Sequence, residues 1–274
     1  MAIAKPTKDY EPFGGKVKIL VFGKSAPGHN FKPKNLFQVV RNLGIKVLYH
    51  PDTSTFNTKI CGARHFTQKF EASGRTIYSG CLADGVVLTT RGEAVWLRTA
   101  DCPTIIARHG LSGEVIAAHA GRASLIDEGA LQNGQIQRQP ESVVGAIYER
   151  LVYSEHLIHS GRRTAHHLET YSCCGIGPRQ FRHPIDHPEH GQFNEIMNRH
   201  IVQHYGADCF LGRDIDIGAL DLHRLIHNQF RLCGVPGDNI HHDSIDTAGQ
   251  TRYFFSRRGG DLTGHNTILV IRRA

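Results

Sequence analysis

A cysteine and a histidine bracket two short apolar runs in Arg98–Gly121, "RTADCPTIIARHGLSGEVIAAHAG". Cys102 heads the first run and His119 closes the second. Thiol and imidazole together support three chemistries: a buried thiol beside a core histidine, a cysteine nucleophile with a histidine base, or two ligands of a metal ion. A catalytic zinc takes three protein ligands and keeps one position open, so the last reading needs a donor from elsewhere in the chain.

The elements that must bring the two side chains together follow from loop length. Only "HGLSG" separates the runs, too few residues for a parallel crossover, so the runs form an antiparallel hairpin. Centring its turn near Leu111 sets His119 opposite Pro103, adjacent to Cys102. Pro103 disfavours the helical region for Cys102 and keeps it extended. Ala100, Ala117, Ala118, Ala120 and Gly121 leave room for a substrate or ion.

Further strands are expected at "VKILVFG", "DGVVLTT", "AVWLRT" and "NTILVIRR". Several are continuous apolar runs, the pattern of strands covered on both faces. Helices are expected in "PKNLFQVVRNLG", where Leu36, Val39, Val40 and Leu43 recur at helical spacing, and in "PESVVGAIYERLVY", "FNEIMNRHIVQHYG" and "DLHRLIHNQFRLCG". "RQFRHPIDHPEHG" is a Pro- and His-rich loop. No linker or repeat divides the chain. The expected architecture is α+β: mixed β-sheets flanked by helices, with an antiparallel hairpin at the site. Residues 1–14 are expected as a flexible tail and 15–274 as a single domain.

Composition limits the function classes. At 274 residues with 40% hydrophobic content, the chain can bury a substantial core. The opening has no apolar stretch of the kind that heads secreted chains, and no run approaches a membrane span, which points to a cytoplasmic protein with no membrane partner. Seven cysteines, an odd number, argue against a disulfide framework, and no CxxC pair exists. Thirty-two Lys and Arg against 25 Asp and Glu give a formal charge of +7. A moderately basic surface suits nucleic acid, a small acidic molecule or no charged partner, but the charges are scattered and belong to no nucleic-acid module, so nucleic acid is not the expected partner.

The segment "LRTADCPTII…VIAAHAG" resembles the signature of the YfiH-like laccase-domain proteins, a family also called multicopper polyphenol oxidases and described as zinc-dependent purine nucleoside phosphorylases. "ADGVVLTTRGEAVWLRTADC", "YSCCGIGPRQF", "ALDLHRLIHNQFRLCGVPGDNI" and "YFFSRRGGDLTGHN" are similar to further family segments, in order, over about residues 60 to 272. The chain departs from the pattern where Arg122-Ala123-Ser124 replaces Trp-Arg-Gly, Ala63-Arg64-His65-Phe66 replaces Gln-Val-His-Gly, Arg179-Gln180 replaces Cys-Cys, and Asp246-Thr247 replaces Cys-Thr.

The resemblance implies a YfiH-like fold and a zinc held by His65, Cys102 and His119, with His50 in "LYHPD" the alternative upstream histidine. It implies phosphorolysis of a purine nucleoside of the adenosine or inosine type to free base and ribose 1-phosphate. Arg257, Arg258 and Arg122 are then candidates to bind substrate or phosphate through bidentate guanidinium contacts. Asp101 is a candidate to orient a metal ligand or accept a proton, alongside Cys102 and His119 as catalytic residues. The rival activities are copper-dependent oxidation of phenols, with His183, His187 and His190 as extra ligands, a Cys–His hydrolase, and a non-enzymatic metal-binding protein.

Overall fold

A computed structural model describes residues 5–24, 40–53, 58–135, 138, 140–153 and 165–273. The described strands are β1 (Lys8–Tyr10), β2 (Val17–Phe22), β3 (Val47–Tyr49), β4 (Ile60–Cys61), β5 (Gln68–Ala72), β6 (Arg75–Ser79), β7 (Gly85–Leu88), β8 (Glu93–Thr99), β9 (Thr104–His109), β10 (Val115–His119), β11 (Leu168–Cys173), β12 (Ile240–His242) and β13 (Asn266–Arg272). They form two mixed sheets. One runs β1-β2-β13-β8-β3-β6-β5 and the other β12-β11-β9-β10-β7-β4. The architecture is α+β, as the strand and helix patterns predict.

The continuous apolar strands follow from the layering. The central strands do not alternate apolar with polar residues because both of their faces are covered. Ile19, Val95, Leu97, Ile268 and Val270 of the first sheet pack on Val86, Leu88, Ile106, Val115 and Ala117 of the second. The opposite face of the second sheet, with Ile105, Ala107, Ile116 and Ala118, meets the helices. The outer face of the first sheet buries Leu20, Trp96, Leu269 and Ile271 against Val40 and Ile45. Burying one such aliphatic side chain is worth roughly 1.5–3 kcal/mol, and these three clusters hold the strands that frame the site.

The helices start where the sequence supplies a cap. Ser142 accepts from the Gly145 amide at the head of Val143–Val152, and Asp221 accepts from the Arg224 amide at the head of Leu222–Leu232. Leu222, Leu225, Ile226 and Phe230 give the latter one buried stripe. Helix Gly191–Tyr205 also falls where it is expected. Of the helix expected in "PKNLFQVVRNLG", residues 33–39 lie outside the described residues; Val40 is helical and buried.

Two expectations need correction. Part of the expected flexible tail is strand: Lys8–Tyr10 pairs antiparallel with β2, and Tyr10 Oη donates to Asp243 Oδ2 at 3.0 Å. The hairpin register is offset by one residue. His119 pairs with Thr104 rather than Pro103, because the turn closes between His109 and Glu114 with Gly113 at φ 68°. A left-handed residue there suits glycine and shifts the turn centre past Leu111.

Candidate functional site

Cys102 lies in the four-residue link Ala100–Pro103 between β8 and β9, where the chain passes from one sheet to the other. Thr99 Oγ1 donates to the Cys102 carbonyl, and the Ala120 amide donates to the Pro103 carbonyl at 2.8 Å. These bonds pin the link against the end of β10. Cys102 keeps partial exposure and interacts directly with His119, which is only 5% exposed. Spacing thus places the pair correctly despite the register offset.

Behind His119 stands Asp84, fully buried, with Oδ1 at 3.8 Å from His119 Nδ1 and Oδ2 accepting from the Thr58 amide. The His119 main chain is held as well, its amide donating to the Asp84 carbonyl at 2.8 Å. Burial on its own lowers the affinity of His119 for a proton. The neighbouring Cys102 sulfur and Asp84 carboxylate outweigh it and push the imidazole up to about 9.

The pair opens into a cavity of about 590 Å³, lined among others by His50, Arg98, Arg257 and His265. His265 sits between two guanidinium groups: Arg98 Nη2 is 3.0 Å from its Nδ1, and Arg257 Nη2 is 3.3 Å from its Nε2. A neutral imidazole has one lone pair, so it accepts from only one of them. Burial and both arginines hold His265 below its usual protonation range. Neither arginine pairs with a carboxylate among the described residues. The cavity therefore carries positive charge next to a thiol and an imidazole.

The other expected site residues divide. Arg257 lines this cavity, whereas Arg122 and Arg258 line a different one of about 580 Å³. Asp101 turns away from the reaction space. Its backbone is left-handed at φ 84°, its Oδ1 accepts from Thr247 Oγ1 at 2.7 Å, its Oδ2 accepts from the Arg258 amide at 3.0 Å, and its carbonyl accepts from the Ile176 amide. It ties three remote segments to the link and makes it rigid. Those contacts engage both carboxylate oxygens with residues of other segments, which suits the orienting role expected of it.

His65 ends the short 3-10 turn Ala63–His65, where its Nδ1 accepts from the Gly62 amide at 3.0 Å, and it does not line the cavity. His50 does. The donor types fit a zinc ion, since thiolate and two imidazoles are good ligands for it. Cys102 and His119 stand together and would supply two of the ligands. No three His, Cys, Asp or Glu side chains are gathered at ligating positions among the described residues. His50 would have to move toward the pair to complete the set.

Arg98 and His265 are members of the cavity that the strand and motif patterns did not single out. The sign for Arg98 is present in the sequence: it is the one exposed position of the otherwise buried strand β8. His265 precedes β13, whose pairing sets Asn266 beside Thr99 and so brings the histidine to the same end of the sheet.

Two packed mixed sheets with helices on one outer face make a fold that solved YfiH-like structures share. YlmD from Geobacillus stearothermophilus shares it with a TM-score of 0.66 and 17% identity over 99% of both chains. YfiH from Bacillus licheniformis has a TM-score of 0.65 and 15% identity over 94% of this chain and 93% of its own. A Neisseria meningitidis protein of the DUF152 group has a TM-score of 0.62 and 19% identity over 98% and 100%. Identity at this level establishes a common fold. No protein-family model and no curated protein matches the chain by sequence.

Proposed function

We propose that the protein is a zinc-dependent purine nucleoside phosphorylase acting in the cavity at Cys102 and His119. In that reaction a phosphate oxygen bonds to C1′ of the ribose as the C1′–N bond breaks. The bond pair leaves with the base, which takes up a proton, and the products are free purine and ribose 1-phosphate. The observation that carries the reading is the joint presence, in one cavity, of the Cys–His pair and two arginines without carboxylate partners among the described residues.

Arg98 and Arg257 hold phosphate by charge-assisted hydrogen bonds, and His265 between them fixes their spacing. Cys102, His119 and His50 would hold the metal, which supplies a Lewis acid for negative charge on substrate or leaving group. The rigid link around Asp101 keeps Cys102 aligned with His119.

The test is release of base from adenosine, inosine or guanosine with zinc supplied, as a function of phosphate. The expected result is phosphate-dependent release, lost in Cys102→Ala, with Arg98→Ala raising the KM for phosphate about tenfold or more, as removal of a charged hydrogen bond worth about 1.5–3 kcal/mol implies. Absence of release from all three nucleosides, or release indifferent to phosphate, refutes the reading.

The Asp84 carboxylate behind His119 favours a second reading, a thiol hydrolase with Cys102 as nucleophile, His119 as base and Asp84 as orienting group. Activity in metal-free protein, with a thiol-specific reagent landing on Cys102, would select it.

A further inference from the structure

The second cavity has no part in that chemistry, and its lining is unusual. Arg122, Arg182 and Arg258 surround it against one lining carboxylate, Glu128. Arg122 is one of the residues that depart from the family pattern. Its Nε donates to Glu128 Oε1 at 2.8 Å and its Nη1 contacts His183 Nδ1 at 3.1 Å, leaving Nη2 uncommitted among the described contacts. The Nε of Arg182 donates to the Arg179 carbonyl. Two phenyl rings steady the other groups: Arg258 lies over Phe181 and Arg122 over Phe193, at 5.6 and 5.8 Å.

The histidines settle what kind of ligand suits this lining. A guanidinium only donates, so His183 Nδ1 must accept from Arg122, and its proton therefore sits on Nε2. His183 is 4% exposed, and its Nε2–H has no hydrogen-bond partner among the described residues. Burial, then Arg122 and Arg258, hold His183 down to about 3, in keeping with a neutral donor. His187 is fixed the same way, its Nδ1 accepting from the Glu189 and His190 amides at 3.2 Å, so its Nε2 also carries the proton. With His183 neutral and its Nε2–H sealed from solvent, the His187 imidazole and three guanidiniums make a lining of donors that repels a metal cation and invites an anion with many acceptor sites.

We propose that this cavity binds the phosphate group of a small phosphate monoester. A carboxylate has two oxygens; a phosphate monoester has three terminal oxygens and two charges, which match three guanidiniums and the His187 donor better. The volume of about 580 Å³ exceeds a bare phosphate and leaves room for an attached sugar-sized group.

The test is calorimetric titration of the full chain with ribose 5-phosphate and with ribose. It reads binding and not turnover, so it stands apart from the phosphorolysis assay. Arg182→Ala and Arg258→Ala remove exposed side chains that the fold does not need. Ribose 5-phosphate is expected to bind the wild type where ribose does not, each variant weakening it about tenfold or more. Arg98→Ala, which alters the other cavity, is expected to leave this binding unchanged. No binding to the wild type at millimolar concentration overturns the proposal. So does binding indifferent to Arg182→Ala and Arg258→Ala, or binding abolished by Arg98→Ala.

Discussion

Replacing Asp101 separates a positioning residue from a catalytic one. Its carboxylate accepts from Thr247 Oγ1 at 2.7 Å and from the Arg258 amide at 3.0 Å, at a residue 5% exposed with φ 84°. Asp101→Ala removes both acceptors and places a side chain with no polar group in the left-handed region. A hydrogen bond to a charged group is worth about 1.5–3 kcal/mol, and left-handed backbone costs a non-glycine residue about 1–2 kcal/mol where no local polar group relieves it. The two bonds contribute about 3–6 kcal/mol and the backbone adds about 1–2, an expected loss of roughly 4–8 kcal/mol. Asp101→Gly loses the same bonds without the backbone term and should recover about 1 kcal/mol of that.

Asp101→Asn is the discriminating member of the series. Its Oδ1 can accept from the Arg258 amide while its Nδ2 donates to Thr247, whose hydroxyl reverses direction, and Asn tolerates left-handed backbone. The expected loss is about 1 kcal/mol, with activity at Cys102 retained. Urea unfolding of the three variants gives the ranking from the midpoints, provided the slopes agree. If Asp101→Asn is as unstable as Asp101→Ala, or if Asp101→Ala stays within about 0.5 kcal/mol of the wild type, the clamp is refuted. A stable but inactive Asp101→Asn would return the residue to the chemistry.

Two further outcomes follow from buried groups. Burial, aided by Arg122 and Arg258, holds His183 down to about 3, and burial, aided by His242, holds His223 down to about 4. Both folded values lie below the ordinary histidine value near 6.5, so the unfolded chain binds the extra protons. The stability they contribute is full above about pH 6.5 and is lost as pH falls toward 4 and 3, by roughly 2–3 kcal/mol per histidine at pH 4.5. Urea midpoints that stay flat between pH 7 and 4.5 contradict this, and His223→Gln should flatten the curve. At Gly85 in β7 a Cβ would fall 2.7 Å from both Ala118 Cβ and Ile60 Cδ1. Gly85→Ala should therefore lower stability by about 1–3 kcal/mol, with a lower thermal midpoint, and an unchanged midpoint would show that β4 and β10 part easily.

The sequence makes the hairpin and its chemistry legible because both are local. Five residues between two apolar runs leave only an antiparallel pairing, and that alone brings Cys102 to His119. The strands it hides are those without an apolar signature. β5, Gln68–Ala72, is exposed along its whole length, and β11 carries Thr170 and Ser172 on positions that a core pattern would fill with aliphatic residues. The site is harder still to read where it depends on long-range contacts. The partners of Asp101 lie 146 and 157 residues away, so the contacts that hold it in place have no local signature. The choice between His50 and His65 likewise turns on which loop reaches the cavity, and no local pattern encodes that. Arg122 and Arg258 look like partners of Arg257 by type, yet the fold sends them to a separate cavity.

The position of Cys102 explains why the site is built here. β8 belongs to the seven-stranded sheet and β9 to the six-stranded one, so the link between them crosses from one sheet to the other. Arg98 reaches the cavity from the first sheet, His119 from the second, and His265 from the segment that enters β13. A ligand in the cavity thus touches groups supplied by both sheets at once. The core packed between the sheets and the contacts of Asp101 fix the relative placement of these groups. The same arrangement explains how aliphatic strands and a partly exposed thiol share one stretch of sequence. The strands build the interior, and the site occupies the link where the chain leaves it.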